Sequence, residues 1–304
     1  MKETGKIWMN GKLVPFKNAK VHVLTHALHY STSIFEGIRC YDTPEGSAIF
    51  SLPEHIDRFF NSAKMYSMKM PYSKKKISDG IVSTVNASKL KQCYIRPLAY
   101  YGYGTMGLTP TNNKVDVSIS CWEWKMGESK AGKFSGAKCK ISKWIRIDSK
   151  SQPMKAKSAA NYSNAALARM EALNAGYDEA IMLNNKGHVA EGSAENIFVV
   201  KNGRITTPPL DADILDGITR DSAIKLLKSN KIKVIEKNLR INDLLKADEI
   251  FMTGTAAEVK SVTRVNKTKI GDGKIGEVTK ELQELFMDTV MGKNKKFRSW
   301  LKFI

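Results

Sequence analysis

Cysteine is scarce in this sequence, with 4 residues in 304. Cys40, Cys93, Cys121 and Cys139 are widely spaced, have apolar neighbours and form no C-x-x-C motif. This pattern excludes a disulfide-stapled secreted domain and gives no support for a zinc site or a redox pair. We therefore expect four reduced thiols, most of them buried.

Long apolar runs are also missing. No segment approaches the roughly 18 consecutive apolar residues of a membrane span, and residues 1–6 lack the hydrophobic core of a signal peptide. The sequence therefore predicts a cytoplasmic protein with no membrane partner. Its 42% hydrophobic residues, against 26% charged ones, are too many for an intrinsically disordered chain, so we expect a folded protein.

Acidic residues are few. The 30 aspartates and glutamates face 49 lysines and arginines, which gives a net charge of +19. A basic balance favours nucleic-acid binding where the positive charges cluster. Here lysine is spread over almost every segment, and no nucleic-acid-binding motif accompanies the dense blocks at 74–76 and 293–302. We expect a solvated basic surface and no specific nucleic-acid partner.

Strand and helix patterns alternate along the chain and predict an α+β fold. Asn10-Gly11 between two apolar segments predicts an N-terminal hairpin. Helical spacing of apolar residues predicts helices over 54–69 and 77–90, and alternation predicts a strand over 115–121. In the second half the predicted elements are strands over 139–145, 179–183, 188–191, 197–200, 205–207 and 249–252, and helices over 162–175, 221–231 and 277–291.

A polar, glycine-containing segment over 125–134 separates the two halves. Such composition is typical of a linker. We therefore predict two domains, 1–124 and 135–304.

Two residues of the second half have potential chemistry. Lys157 lies among small residues just before a predicted helix, which leaves room for a bulky cofactor bound as a Schiff base. Taken alone, it also fits a solvated lysine, of which the chain has many. Glu191 ends a predicted hairpin strand, where a rigid carboxylate would suit a protonated pyridine nitrogen. The alternative is an exposed glutamate at a strand end.

Two turns offer backbone N–H groups. The segment 217–221 opens a predicted helix, whose first turn and positive dipole end bind anions. The segment 253–257 follows a predicted strand and adds a hydroxyl. Each also fits ordinary helix capping and glycine flexibility. Together, a lysine for a Schiff base, a carboxylate for a pyridinium and two clamps for a phosphate describe pyridoxal 5'-phosphate.

Seven motifs occur in a specific order and spacing between the first hairpin and the terminal helix. They are His26-Ala27-Leu28-His29-Tyr30, Ser33-Ile34-Phe35-Glu36-Gly37-Ile38-Arg39, Tyr94-Ile95-Arg96-Pro97-Leu98, the segments around Lys157 and Glu191, Gly217-Ile218-Thr219-Arg220, and Gly254-Thr255-Ala256-Ala257-Glu258. With these motifs the whole chain resembles the branched-chain amino-acid aminotransferases of the fold-type IV pyridoxal-phosphate class. The resemblance implies a smaller N-terminal α/β domain and a larger C-terminal pseudo-barrel domain that binds the cofactor.

The resemblance also implies residue roles. Lys157 would carry the Schiff base and move the substrate proton, Glu191 would keep the pyridine nitrogen protonated, and Tyr162 would donate to the ring oxygen. The phosphate would be held by Arg58, Ile218, Thr219 and Thr255. The substrate would be surrounded by Tyr30, Phe35, Tyr94, Arg96, Trp124, Thr255, Ala256 and Ala257.

The implied activity is the ping-pong transamination of L-leucine, L-isoleucine and L-valine with 2-oxoglutarate. The implied partners are these amino acids, their 2-oxo acids and a second copy of the chain, because in this family a neighbouring subunit completes the pocket; a homodimer is the minimum. Two alternatives stay open. One is a sibling of the same fold, a D-amino-acid aminotransferase or an aminodeoxychorismate lyase. The other is a basic binding protein with a decayed active site.

Overall fold

The structure is a computed structural model that describes residues 5–110, 112–124 and 136–304. The elements before residue 125 are β1 (Lys6–Met9), β2 (Lys12–Pro15), α1 (His26–Tyr30), β3 (Ser33–Phe35), β4 (Ile38–Thr43), β5 (Gly46–Phe50), α2 (Leu52–Met65), α3 (Lys74–Ser88), β6 (Cys93–Tyr101) and β7 (Val115–Glu123). The elements after residue 135 are β8 (Ala137–Ile141), α4 (Ala159–Asn174), β9 (Glu179–Leu183), β10 (Val189–Gly192), β11 (Asn196–Lys201), β12 (Arg204–Thr207), α5 (Ile218–Ser229), β13 (Val234–Glu236), α6 (Ile241–Leu245), β14 (Glu249–Gly254), β15 (Glu258–Val265), β16 (Thr268–Lys269), α7 (Glu277–Val290) and β17 (Leu301–Phe303). The α+β composition predicted from the sequence is confirmed.

These elements form two compact units. The first contains the described residues up to 124 together with 156–160 and 289–304, and the second contains the described residues of 126–155 and of 161–288. The sequence pattern predicts that 156–160 and 289–304 belong to the second domain, whereas in the structure they belong to the first unit. The linker predicted at 125–134 lies outside the described residues.

The first unit is built on an antiparallel sheet. Its strand order is β17-β5-β4-β6-β7-β1-β2, and β3 also pairs with β6. The predicted N-terminal hairpin is present: β1 and β2 are joined by Asn10 and Gly11, both with positive φ, as a two-residue hairpin turn requires. The nine-residue strand β6 pairs with β3, β4 and β7, so it holds the centre of this unit together.

Helices α2 and α3 pack on this sheet through a shared apolar core that includes Phe59 and Ile81. The predicted helix over 54–69 ends at Met65. It stops there because Ser67 adopts a left-handed conformation (φ 53°) and the Met68 N–H donates back to the Ala63 carbonyl at 2.9 Å. Helix α3 begins after Ser73, whose hydroxyl accepts a hydrogen bond from the N–H of Lys76, the third residue of the helix.

The second unit is built on a mixed sheet. Its strand order is β10-β9-β8-β15-β14-β11-β12-β13, with β16 paired to β15. The predicted strand over 139–145 ends at Ile141, because the Trp144 N–H donates to the Ser142 hydroxyl at 3.0 Å and turns the chain. The predicted helix over 162–175 begins three residues earlier and ends, as expected, before Gly176 (φ 79°).

The four cysteines are all buried, as the sequence predicts. Cys40, Cys93 and Cys121 lie on the neighbouring strands β4, β6 and β7 in the core of the first unit, and Cys139 lies in the core of the second. In the part of the chain that the structure describes, no helix is long and apolar enough to cross a membrane.

Candidate active site

Lys157 belongs to the segment 156–160 of the first unit and is fixed through its own backbone. Its N–H donates to the Ser62 hydroxyl at 3.0 Å, and its carbonyl accepts from the Phe35 N–H at 2.9 Å. Its amine lies 5.1 Å from the centre of the Phe35 ring. Lys157 is half-buried, whereas Lys155 is exposed. Of the two lysines, only Lys157 is thus anchored beside β3.

One face of α2 carries a polar stripe. His55, Arg58 and Ser62 follow one another at intervals of three and four residues, and Tyr66 directly follows the helix, so these side chains line up. The Tyr66 hydroxyl bonds to the Ser158 hydroxyl at 2.8 Å. The C-terminal half of the stripe therefore fixes the lysine segment.

The N-terminal half of the stripe binds a buried carboxylate. Glu36 accepts from Arg58 Nε at 2.7 Å through one oxygen, and from Arg58 Nη2 at 2.9 Å and His55 Nδ1 at 2.7 Å through the other. Burial alone raises the pKa of Glu36, but Arg58 and His55 outweigh it and hold that pKa well below its usual range. Burial lowers the pKa of His55 despite the carboxylate. At neutral pH the cluster is an ion pair with a neutral imidazole.

Aromatic rings enclose the guanidinium of Arg96. It lies 4.7 Å from the centre of the Phe35 ring. The rings of Tyr94 and Trp122 are 5.3 and 5.5 Å away, and the Trp124 ring lies 5.4 Å from that of Tyr94. The buried Nε of Arg96 has no hydrogen-bond partner among the described residues. Strands β3, β6 and the end of β7 thus place a cation within an apolar wall.

Two more residues predicted to bind substrate depend on close neighbours in this unit. A Cβ on Gly37 would lie 1.9 Å from the Tyr94 hydroxyl, so the absence of a side chain there lets Tyr94 take its position. Tyr30, at the end of α1, donates its hydroxyl to the Met106 carbonyl at 2.8 Å. This bond ties α1 to the chain that follows β6.

In the second unit, Glu191 lies on β10 beside a β-bulge. The pairing of β10 with β9 shifts between Val189 and Glu191, a device that often re-aims a side chain near an active site. One carboxylate oxygen pairs with Arg146 Nη2 at 2.7 Å. The other accepts from Asn196 Nδ2 at 3.0 Å and from the Leu215 N–H at 3.2 Å. Burial of a carboxylate is costly unless donors of this kind compensate for it.

Helix α5 begins close to these donors. It starts at Ile218, three residues before the predicted start, and no side chain caps its first turn. A Cβ on Gly217 would lie 1.9 Å from Asn196 Oδ1, so a glycine is needed where the helix meets β11. The first-turn N–H groups, which include that of the buried Thr219, suit an anion.

A tight hairpin joins β14 to β15. Its turn residues are Thr255, Ala256 and Ala257. Gly254 faces Glu258, the first residue of β15, which has a positive φ of 57°. Tyr162, in the first turn of α4, is half-buried.

The residues predicted from the sequence thus fall into two groups. The first unit holds Lys157, Arg58, Tyr30, Phe35, Tyr94, Arg96 and Trp124. The second unit holds Glu191, Tyr162, Ile218, Thr219, Thr255, Ala256 and Ala257. Their individual roles stay predictions.

Comparison with known proteins decides the family. The model of amino-transferase class IV matches residues 33–265, well over half of the chain. The chain belongs to the class IV aminotransferases. A branched-chain-amino-acid aminotransferase of Pseudomonas aeruginosa is 43% identical over 296 residues, which are 97% of this chain and 96% of that protein.

Solved structures of other class IV aminotransferases are closely similar. The branched-chain amino acid aminotransferase of T.th. with pyridoxamine 5'-phosphate has a TM-score of 0.97 at 42% identity, covering 100% of this chain and 99% of that one. The same protein complexed with N-(5'-phosphopyridoxyl)-L-glutamate has a TM-score of 0.94, with the same identity and coverage. The fold class predicted from the sequence, that of the fold-type IV aminotransferases, is confirmed.

Sequence reasoning missed four charged or polar residues of this class IV aminotransferase: Glu36, His55, Arg146 and Asn196. One signal was available. Glu36 is a lone charge within the apolar run Ile34-Phe35-Glu36-Gly37-Ile38, and Arg146 is a lone charge between Ile145 and Ile147. A single charge in such a run is buried only with a partner, so each indicates a buried ion pair.

Proposed function

We propose that this class IV aminotransferase is a pyridoxal-phosphate-dependent branched-chain transaminase. It converts L-leucine, L-isoleucine and L-valine to their 2-oxo acids, with 2-oxoglutarate as the amino acceptor. The name of the P. aeruginosa relative supports the donor class. The phosphopyridoxyl-glutamate complex of the T.th. relative supports both the cofactor and glutamate as the second substrate.

The donor sets on the two units suit this cofactor. The Glu191 carboxylate complements a protonated pyridine nitrogen. In the second unit the uncapped start of α5 complements a phosphate, and in the first unit the guanidinium of Arg58 does so as well. When bound, pyridoxal phosphate supplies an aldehyde that takes up the amino group and a ring that accepts the electrons of the substrate's Cα–H bond.

Residues of the chain would hold the cofactor, orient it and move the substrate proton. Lys157 would hold the cofactor at its aldehyde carbon, and its amine, when free, would move the proton of the substrate Cα. Glu191 would hold a proton on the pyridine nitrogen, and Arg146 and Asn196 keep its carboxylate oriented. Tyr162 would donate a hydrogen bond to the ring oxygen.

One observation carries the choice of substrate. The ring of Phe35 is shared by the Lys157 amine at 5.1 Å and the Arg96 guanidinium at 4.7 Å. The amine proposed to react and a cation suited to a second carboxylate therefore both lie beside the apolar ring of Phe35. This combination suits an enzyme that accepts both an apolar amino acid and glutamate.

We also propose that the enzyme works as a homodimer and resides in the cytoplasm. Support for the dimer comes from an apolar patch on the first unit. It consists of the exposed side chains Val21, Val23, Leu24, Leu28, Tyr103 and Leu108, and its two segments meet where the His22 and Tyr103 rings lie 4.8 Å apart. Exposed patches of this kind mark protein interfaces. Light scattering should give the mass of two chains or a multiple of it.

Absorbance spectroscopy tests the proposed reaction. The purified protein should be yellow, and L-leucine, L-isoleucine, L-valine and L-glutamate should each remove the band of the lysine-bound cofactor. Loss of that band with D-alanine alone would favour a D-amino-acid aminotransferase, and release of pyruvate from aminodeoxychorismate would favour the lyase. A colourless protein that takes up no cofactor would favour a binding protein.

Chemical labelling tests the lysine. Borohydride reduction followed by peptide mapping should place the pyridoxyl label on Lys157. A label on the exposed Lys155 would refute the assignment.

A further inference from the structure

Glu36 is the most deeply buried member of the cluster on α2. Its side chain is 1% exposed, against 12% for that of Arg58. The carboxylate accepts from two Arg58 nitrogens, from His55 and from the N–H of Gly37 at 3.2 Å. One of these four donors bonds to Oε1 and three bond to Oε2, so both oxygens are engaged within the unit.

The geometry fixes the plane of the Arg58 guanidinium. A carboxylate that receives Nε and Nη2 together sets both the direction and the rotation of the planar group. The accessible part of the pair lies on the arginine side. Because the pair is electrically neutral, Arg58 offers a phosphate directed N–H groups rather than net charge. Orientation is then the property that matters for binding.

We propose that Glu36 is a positioning residue for phosphate recognition by Arg58, and that His55 holds the second oxygen of Glu36 in place. This inference rests on the proposed function, because it assigns the phosphate of pyridoxal 5'-phosphate to Arg58. A stabilising role alone does not explain the cluster. Buried ion pairs add little or nothing to stability compared with apolar side chains of similar size, and Phe59 and Ala63 already pack α2 into the core.

The test compares two forms of the cofactor that differ only in the phosphate. Full-length holoenzyme is dialysed against graded pyridoxal 5'-phosphate or graded pyridoxal, and bound cofactor is measured by absorbance. The variants are Glu36→Gln, Arg58→Gln and the double variant. Glu45→Gln is the control, because Glu45 pairs with Arg298 in the same unit but on its surface.

Glu36→Gln should weaken the binding of pyridoxal 5'-phosphate by about tenfold, the effect of one charge-assisted hydrogen bond, and leave the binding of pyridoxal within about twofold. The amide places an NH2 group against an arginine N–H, so the guanidinium turns away. In the Arg58→Gln background the same change should have no further effect on the ratio of the two affinities. Glu36→Asp, which keeps the charge, should recover part of the ratio and replaces Glu36→Gln if that variant does not fold.

Equal weakening of both cofactor forms would show a structural role and overturn the inference, as would an unchanged or tighter binding of the phosphate form. These results are distinguishable from a failure of the proposed function. If Arg58→Gln itself leaves the ratio unchanged, Arg58 does not bind the phosphate. If Arg58→Gln lowers the ratio and Glu36→Gln does not, only the inference about Glu36 fails.

Discussion

Each unit contains a buried glutamate–arginine pair, and the two pairs are built differently. In the first, Arg58 makes a two-point contact with Glu36, and a histidine holds the same carboxylate. In the second, Glu191 contacts Arg146 through one nitrogen and also accepts from a side-chain amide and a backbone N–H. The first pair fixes an arginine, whereas the second fixes a carboxylate.

The exposure of the side chains also differs between the two glutamate–arginine pairs. In the first pair the arginine is more exposed than the glutamate, at 12% against 1%. In the second the two side chains are equally buried, at 6% for Arg146 and 7% for Glu191. In the roles proposed above, the same two residue types serve opposite purposes. Four predictions sharpen or break this comparison.

The largest effect is expected from Glu191→Gln. A neutral amide cannot keep the pyridine nitrogen protonated, so turnover should fall about a hundredfold or more, the scale of one preorganised electrostatic contact. Cofactor binding should persist. Steady-state kinetics at saturating cofactor measure this, with Glu45→Gln as the control. Near-normal turnover with cofactor bound would mean that the Glu191 carboxylate is not needed at the pyridine nitrogen, and the two pairs would then not differ in purpose.

Arg96→Leu should have the next largest effect. Arg96 differs from both pairs because aromatic rings surround it and its Nε has no partner among the described residues. Loss of a charge-assisted bond of roughly 1.5–3 kcal/mol should lower kcat/KM for glutamate and 2-oxoglutarate by about ten- to a hundredfold. Reaction with leucine should change little.

Half-reaction kinetics with each amino acid separate the explanations for Arg96. Tyr94→Phe is the graded comparison, because it removes only the hydroxyl that accepts from Arg96 at 3.4 Å. Equal losses for glutamate and leucine in Arg96→Leu would mean that Arg96 supports the fold or the cofactor and does not recognise substrate.

The next prediction concerns acid stability and the first pair. Burial lowers the pKa of His55 below its ordinary value of 6.5. The unfolded chain therefore binds a proton before the folded one does, and the free energy of unfolding should decrease as the pH falls below 6.5. The lowered pKa of Glu36 adds a second loss below its ordinary value of 4.5. Stability contributed by both residues is thus fully present at neutral pH.

Urea unfolding between pH 7.5 and 3 checks these signs. His55→Gln should flatten the dependence between pH 6.5 and 5, and Glu36→Gln should flatten it below pH 4.5. A slope that survives His55→Gln unchanged would assign the effect to another group.

The smallest effect is expected from Glu45→Gln. Glu45 and Arg298 are 52% and 44% exposed, and pairs in water contribute little because solvent screens them. The thermal midpoint should not change measurably. A clear decrease would mean that burial is not what separates the two internal pairs from this surface pair.

Local signals made parts of this structure predictable. The Asn10-Gly11 turn and the glycine after α4 need positive φ, and that requirement is visible in the residues themselves. Strand β6 escaped prediction because its pattern is almost continuously buried, with little alternation. The hairpin pattern pointed to Glu191 and the resemblance to Arg58, but their buried partners are far away in the sequence. Partner choice of this kind is decided by tertiary packing.

The position of the segment around Lys157 is likewise not predictable from the sequence. Its sequence lies between two parts of the second unit, yet backbone bonds to Phe35 and Ser62 place it in the first. Nothing in the composition of 156–160 indicates this assignment. The bonding partners become evident only once β3 and α2 are in place.

The pairing of β17 with β5 has a consequence for biosynthesis. Residues 301–303 form an outer strand of the first sheet, yet the ribosome makes them after every other strand of both units. During roughly 250 residues of translation, on the order of ten to fifty seconds at common rates, β5 has an unpaired edge that can associate with other chains. Nascent chains should therefore depend on chaperones until this segment leaves the exit tunnel.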